Sequence, residues 1–395
     1  MEHGLVIGVD IGTTSAKAVL FETTGTVVKE TERKLETFHE QSGWAEQDPA
    51  QVEKGARDAL KELLEGFQPS EIVAGGFSAA MHSMLFVDGE ENPTSNAALW
   101  SDARSLPDVS SFPDKEEVYE RTGTPIHPMT PLMKLYHHRR SKTKQFQEAA
   151  GIRSLKEYIV NEWFGDHLTD YSMASATGMY NIRAGGWDEK ALHLAGISEA
   201  MLNPIAAPDT RLSPLKKEIA EEIGIPTDLP FYLGACDGQL ANLGDGAISP
   251  GEVAISAGTS GAIRQFATNP SVDKDRETFT YAFQKDSFIV GGPTNNGGIV
   301  LQWLKEAMNY PGSTEELTAL AEEVPPGAEG VYFIPHVNGE RSPIWDQGAR
   351  GSFHGLSLTH KQPHLVRAVS RGSPLICIIS GNRWNGWPVN RNGSG

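Results

Sequence analysis

Asp10 is followed within five residues by Gly12, Thr13, Thr14 and Ser15, a carboxylate set against a turn of one glycine and three hydroxyls. In such a turn the backbone N–H groups converge and the hydroxyls add donors, which makes a concavity for phosphate oxygens. Asp10 beside it can hold Mg²⁺ or a water of its shell, because Mg²⁺ takes one or two carboxylates together with substrate phosphates. Neither the dinucleotide fingerprint nor the P-loop spacing is present. A second turn of the same design, Gly258-Thr259-Ser260, lies in "GEVAISAGTSGAIRQF". A polar hairpin end remains the plain alternative for either turn alone, and the second copy weighs against it.

Three further groups of residues can do chemistry. "GACDGQLANLG" places Asp237 at the end of an apolar strand and the start of a helix. A carboxylate there can accept the proton of a substrate hydroxyl that attacks a phosphoryl group; capping the helix is the commoner role for such a residue. Met81 and His82 follow another strand end in "FSAAMHS", and "LWSDARS" offers an aromatic wall in Trp100, an acceptor in Asp102 and a cation in Arg104. Together they suit a polyhydroxylated ligand, and Arg104 can take an acidic one by bidentate pairing. A satisfied structural histidine and a core tryptophan are the alternatives.

The elements that must position these residues are legible in outline. Leu5 to Asp10 and Ala16 to Phe21, rich in Val, Ile and Leu, read as a β-hairpin across the Gly-Thr-Thr-Ser turn. "DPAQVEKGARDALKELLEGF" opens with an Asp48 cap and Pro49 at the first helical position, so it is a helix. "IVAGGFSAAMH" is then a strand, and this alternation predicts an α/β domain with ligand groups at strand ends. The stretch from Pro125 to about Asp166 is mostly helical in pattern. The pairing of two hairpins with equivalent turns predicts duplicated domains that each present a phosphate loop to a cleft.

Bulk properties narrow the partners. At 395 residues and 39% hydrophobic content the chain can bury the cores of two domains. A formal net charge of −17 argues against nucleic acid or an anionic membrane and for a small metabolite. Cys236 and Cys377 supply neither a disulfide framework nor metal-ligand spacing, and no window approaches the ~20 apolar residues needed to span a bilayer. A soluble, cytoplasmic protein is expected.

The ordered segments "VDIGTTSAKAVLF", "FSAAMHS", "LWSDARS", "RTGTPIHPMTPLMKL", "CDGQLANLG", "AISAGTSGAIR", "GGPTNNGGIVLQW" and "NGERSPIWDQGARGSFHGLSLTH" resemble the FGGY carbohydrate kinases of the actin-like ATPase superfamily. "SAAMHS", "RTGTPIHPM" and "GGPTNNGG" look most like the gluconate-phosphorylating members. The resemblance implies an α/β fold of actin-like, ribonuclease H-like duplicated domains and ATP-dependent, Mg²⁺-assisted phosphorylation of a sugar or sugar acid. For gluconate the product is 6-phosphogluconate. By position it implies Asp237 as catalytic base and Asp10 as the metal carboxylate. Gly12, Thr13 and Thr14, with Lys17 just beyond, match the first phosphate loop, and Gly258, Thr259 and Ser260 the second. Met81, His82, Trp100, Asp102 and Arg104 match substrate-side positions. A pentulose such as xylulose is the alternative substrate, and a sugar-acid-binding protein without catalysis the alternative class. Family resemblance also implies a possible homodimer. His137 stands where the family usually has Trp, a position assigned to helix packing.

The resemblance divides the chain into an N-terminal domain over 1–244, a partial C-terminal domain over 245–369 and an aberrant tail over 370–395. After Val369 the family continues with a hydrophobic residue and Glu-Gly into a long helix; this chain reads "SRGSPLICIISGNRWNGWPVNRNGSG", without helical periodicity. Codons for Ser370 onward can be chosen so that a frame starting two bases later gives Glu-Gly-Phe-Pro-Phe-Asn-Leu-Tyr-Asn, so a frameshift is expected, with a naturally divergent tail as the rival. Loss of most of the adenine pocket and of closing helices is the expected consequence, with weakened or absent turnover.

Overall fold

The computed structural model describes residues 4–382, with side chains to residue 372. It divides into two units, one of Met1–Gly244 with Tyr281–Phe288, the other of Asp245–Thr280 with Ile289–Gly395.

In the first unit β1 (Leu5–Ile11), β2 (Ser15–Glu22) and β3 (Val27–Lys34) form an antiparallel meander, with Ile11 opposite Ala16 on either side of the polar turn. Helix α1 (Pro49–Leu64) begins as read, with the Asp48 carboxylate accepting from Ala50 N at 2.9 Å. β4 (Ile72–Ala79) joins β1 in parallel, and β5 (Phe231–Cys236) joins β4 in parallel, giving the order β5-β4-β1-β2-β3. Alternate residues of these strands bury Ile7, Val9, Phe77, Phe231 and Leu233 in one core that also takes Val52, Ala56 and Leu60 of α1, a period-2 face sharing its core with a helical stripe. Phe77 sits edge-on to Trp163 with ring centroids 5.6 Å apart.

The stretch read as mostly helical contains α2 (Pro131–Ser141) and α3 (Leu155–Phe164), the latter opened by a reciprocal Ser154/Glu157 capping box. A three-residue strand, Gly151–Arg153, interrupts it. α4 (Tyr171–Ala176) follows, and α5 (Asp237–Gly244) leaves β5 directly.

β5 carries a local irregularity that matters for the site. Its register against β4 shifts between Tyr232 and Ala235, and Gly234 there has φ +67°. A Cβ on Gly234 would lie 1.8 Å from Phe77 O, so only glycine fits. Bulges of this kind re-aim the residues beyond them, and what lies beyond is Cys236-Asp237.

In the second unit β6 (Val253–Ala257) and β7 (Gly261–Ala267) form the second hairpin, Ala257 opposite Gly261, as the repeat predicts. β8 (Phe279–Gln284) and β9 (Ser287–Thr294), whose linked ends Tyr281–Phe288 belong to the first unit, complete a sheet of order β6-β7-β9-β8. Helices α6 (Ile299–Ala307) and α7 (Gln362–Asn382) share a core in which Val300 and Leu304 meet Val366 and Val369.

α7 corrects one expectation. Residues 370–382 lack helical periodicity in sequence, yet the helix runs unbroken to Asn382. The physical reason is that extending a helix already nucleated and packed over Gln362–Val369 costs far less than starting one. The remainder of the proposed out-of-frame tail, 383–395, lies outside the described residues. No helix among the described residues is long and apolar enough to cross a membrane.

Candidate active site

In the first unit the candidate residues gather at the carboxyl edge of three parallel strands. Asp10 pairs with Ser78, Ile11 with Ala79, and Ala79 with Cys236, so the ends of β1, β4 and β5 are level. Asp10, the segment leading to Met81 and His82, and Asp237 therefore leave the sheet side by side, where ligands of open α/β sheets bind.

Asp10 Oδ1 accepts from Ser78 Oγ at 2.7 Å. Oδ2 has no hydrogen-bond partner among the described residues, so one carboxylate oxygen beside the polar turn is available to a hydrated cation, the pattern that fits Mg²⁺. The turn is tied from behind: Thr13 O accepts from the fully buried Gln47 at 2.7 Å and Thr14 O from Leu35 N at 3.0 Å. Lys17 lies on β2 opposite Asp10, half-exposed and in a loose ion pair with Glu32 at 3.9 Å.

Asp237 is exposed at the first position of α5, and its Oδ1 accepts from the adjacent Gly238 N at 2.6 Å, a local contact that does not reach the N2 or N3 amides a helix cap would serve. Behind it stands a buried network that sequence reading missed. Lys156 Nζ pairs with Asp170 Oδ2 at 2.8 Å, both within 2% of full burial. Asp170 Oδ1 caps α4 by accepting from Ser172 N at 2.8 Å and Met173 N at 3.1 Å. Ser172 Oγ also accepts from Asp170's neighbour in space, Cys236 N, at 2.8 Å, which fixes the last residue before Asp237. The Asp-x-Ser capping pattern at 170–172 was the available signal. The Cys236 thiol is fully buried, contacts Gln239 Oε1, and is pushed up to about 12 by burial and then by the charge of Asp237.

Met81 is half-buried, and His82 is buried with φ +70°, a left-handed conformation rare outside glycine and typical of functional sites. His82 Nδ1 bonds Ala176 O at 2.7 Å, and its ring meets Tyr281 edge-on at 5.9 Å. Tyr281, in a distant part of the sequence, was also missed. The segments holding His82 and Trp100 run together through paired bonds between Met84 and Ala98 at 2.9 and 2.8 Å.

Asp102 and Arg104 are joined more tightly than the sequence indicates. Arg104 Nε donates to Asp102 Oδ1 at 2.8 Å and Nη2 to Oδ2 at 2.7 Å; Nη2 also reaches Glu46 at 2.5 Å. The bidentate edge expected to meet an acidic ligand is therefore engaged by Asp102. Burial by itself would raise the Asp102 carboxyl, but the Arg104 hydrogen bonds and charge outweigh it and hold it below the usual range. Arg104 stacks 3.9 Å from the Trp44 ring and lines a cavity of about 510 Å³ with Glu46, Asn96, His137 and His138. His137, read as helix packing, borders this cavity and pairs with Asp108 at 2.6 Å.

Lys134 anchors the strained histidine. Fully buried in α2, its Nζ donates to His82 O and Met129 O, both at 2.8 Å. Burial pulls its pKa from 10.5 down to about 7, against the opposing pull of Asp102. The unfolded chain then binds more protons between those two values, so the Lys134 contribution raises stability with pH from about 7 toward 10.5. The limiting slope is about 1.4 kcal/mol per pH unit. Urea unfolding at pH 7 and pH 9 should show the wild type gaining on Lys134→Met over this span; a pH-independent difference would refute the assignment.

In the second unit the turn Gly258-Thr259-Ser260 is exposed and, like the first, tied from behind: Gly298 N donates to Gly258 O at 2.7 Å and Ile299 N to Thr259 O at 3.2 Å. A Cβ on Gly297 would lie 2.7 Å from Gly258 O, so the two loops touch backbone to backbone. Beside them a cavity of about 740 Å³ is lined by Ile255, Gly261, Gly297, Leu301, Glu322 and Arg367. That volume accommodates a drug-sized ligand such as a nucleoside.

Comparison with known proteins accords with this geometry. Residues 5–244 match the FGGY family of carbohydrate kinases, N-terminal domain, and residues 253–373 the C-terminal domain of the same family. A gluconokinase of Bacillus subtilis is 37% identical over 382 residues, covering 93% of this chain and 74% of the relative. A gluconate kinase from Lactobacillus acidophilus superposes with a TM-score of 0.93 at 32% identity, covering 97% of this chain and 78% of that one. A ligand-bound xylulose kinase from the same organism also gives 0.93 at 32%, covering 96% and 78%. With both domains matched in order, the chain belongs to the FGGY family of carbohydrate kinases and is a phosphotransferase of the actin-like fold.

Proposed function

We propose that the chain transfers the terminal phosphoryl group of ATP to the terminal hydroxyl of D-gluconate, giving 6-phosphogluconate and ADP. The observation that carries the chemistry is the level ending of β1, β4 and β5, which sets Asp10, His82 and Asp237 at one edge. Asp237 accepts the hydroxyl proton as the oxygen forms its bond to the γ-phosphorus and the bond from that phosphorus to the ADP oxygen breaks. Bound Mg²⁺, held through Asp10, would neutralise phosphate charge. Gly12, Thr13, Thr14 and Lys17 in the first unit and Gly258, Thr259 and Ser260 in the second hold phosphate oxygens, and the 740 Å³ cavity takes the nucleoside. Met81, His82, Trp100 and the Asp102/Arg104 pair bind the sugar acid.

Gluconate is favoured by the 37% identity to a gluconokinase and by the spelling of "SAAMHS" and "GGPTNNGG". The equal superposition of a xylulose kinase supports D-xylulose as the second reading. The departure after Val369 falls on α7, which lines the nucleotide cavity through Arg367 and Ser370, so impairment is expected as a raised KM for ATP.

ADP release with MgATP, alone and with D-gluconate or D-xylulose, tests both points on this chain and on one with its reading frame restored. Gluconate-dependent release is expected from both chains, with the lower ATP KM in the restored one. Release with xylulose alone would transfer the reading to the pentulose, and equal ATP KM values would remove the impairment.

A further inference from the structure

The second unit contains a buried carboxylate to which no role has been given. Glu340, in "NGERSP", is fully buried. Its Oε1 accepts from Asn295 N at 3.0 Å and Arg341 N at 2.9 Å. Its Oε2 accepts from Thr294 Oγ1 at 3.0 Å and Asn296 Nδ2 at 2.9 Å, and lies 3.2 Å from His336 Nδ1. Asn296 carries the stitching further, donating to Gly339 O at 2.7 Å and accepting from Asn338 N at 3.1 Å.

The segment so fixed, 294–296, runs directly into Gly297 and Gly298, whose backbone abuts Gly258. Thr294, Gly297 and Gly298 also line the 740 Å³ cavity. One carboxylate therefore sets the position of the backbone on which the second phosphate turn rests and of one wall of the cavity beside it. A buried ion costs several kcal/mol to desolvate, and an apolar replacement is often as stable or more so. Charge-assisted bonds are short and directional. Stability alone is thus a poor reason to keep a carboxylate here, whereas fixed geometry is a good one.

We propose that Glu340 is a positioning residue for the nucleotide: by clamping 294–296 it holds Gly297 and Gly298 against Gly258 and so presets the turn that receives the phosphates of ATP. The inference rests on the reading of Gly258-Thr259-Ser260 as a phosphate turn and not on the identity of the sugar. Glu340→Gln leaves an acceptor for Asn295 N and Arg341 N but sets an amide against the Asn296 amide and the Thr294 hydroxyl, loosening one side of the clamp.

The test is titration of a fluorescent ATP analogue without sugar acid, beside KM values for ATP and gluconate and a thermal melt. In Glu340→Gln the ATP Kd and KM should rise about 10- to 100-fold, by analogy with the loss seen when the hydrogen-bond partners that orient metal ligands are removed, while the gluconate KM stays within about twofold. Should Glu340→Gln fail to fold, Asn296→Ala, which cuts the same side of the clamp, is expected to give the same split. An unchanged ATP Kd in a folded variant, or parallel rises in both KM values with a fall in melting temperature, would overturn the proposal, as would a wild-type chain that binds no ATP. If the wild type binds the ATP analogue but no sugar stimulates ADP release, the kinase reading fails while the Kd comparison still decides the role of Glu340.

Discussion

Asp237→Asn should lower the kcat of gluconate-dependent ADP formation by about 10²- to 10⁴-fold, the span a positioned general base contributes. The substitution preserves shape and leaves an Oδ1 that can still accept from Gly238 N, so the start of α5 should survive. What is lost is the basic oxygen. Because the carboxylate is exposed at the strand end and the substitution keeps its shape, the melting temperature and ATP affinity should change little. Steady-state kinetics with a melt on the same preparation checks this; a kcat within about threefold of wild type, below what general-base loss costs, would remove Asp237 from the reaction.

The second large effect concerns stability. Lys156→Met should cost the first unit about 3–5 kcal/mol, the ordinary price of stranding one member of a buried ion pair. Asp170 would remain buried with its Oδ1 engaged by Ser172 and Met173 and its Oδ2 without a cation. Urea unfolding measures the loss, and Lys156→Met combined with Asp170→Asn should recover part of it, since the stranded charge is then gone. A loss below about 1 kcal/mol would place the pair with ordinary surface ion pairs. Activity should fall too, because Ser172 holds Cys236 N and with it the approach to Asp237.

The features legible in the sequence are local ones. The hairpin around Gly12-Thr13-Thr14, its repeat at Gly258, the Asp48 cap and the strand-end placement of Asp237 each depend on a few neighbouring residues. The supports of the site depend on partners far along the chain: Lys134 on His82, Cys236 on Ser172, Asn295 on Glu340. Nothing near the lysine in "PLMKLYH" reveals the distant carbonyl that it serves at His82. Arg104 was misleading for the opposite reason. Its partner Asp102 is only two residues away, and a fork open to an acidic ligand looks the same in sequence as one closed on a neighbour. The helix through 370–382 is invisible in its own residue pattern because it depends on the packed turns that precede it.

The burial of Cys236 has a consequence for the redox chemistry of the site. Thiolate is the form that attacks oxidants and alkylating agents, and it is also the form that disulfide exchange requires. With its pKa near 12 and no exposed surface, the Cys236 sulfur stays protonated at physiological pH even though it adjoins the proposed catalytic carboxylate. Burial and a raised pKa thereby keep the strand end that aims Asp237 poorly reactive toward peroxide and toward mixed-disulfide formation.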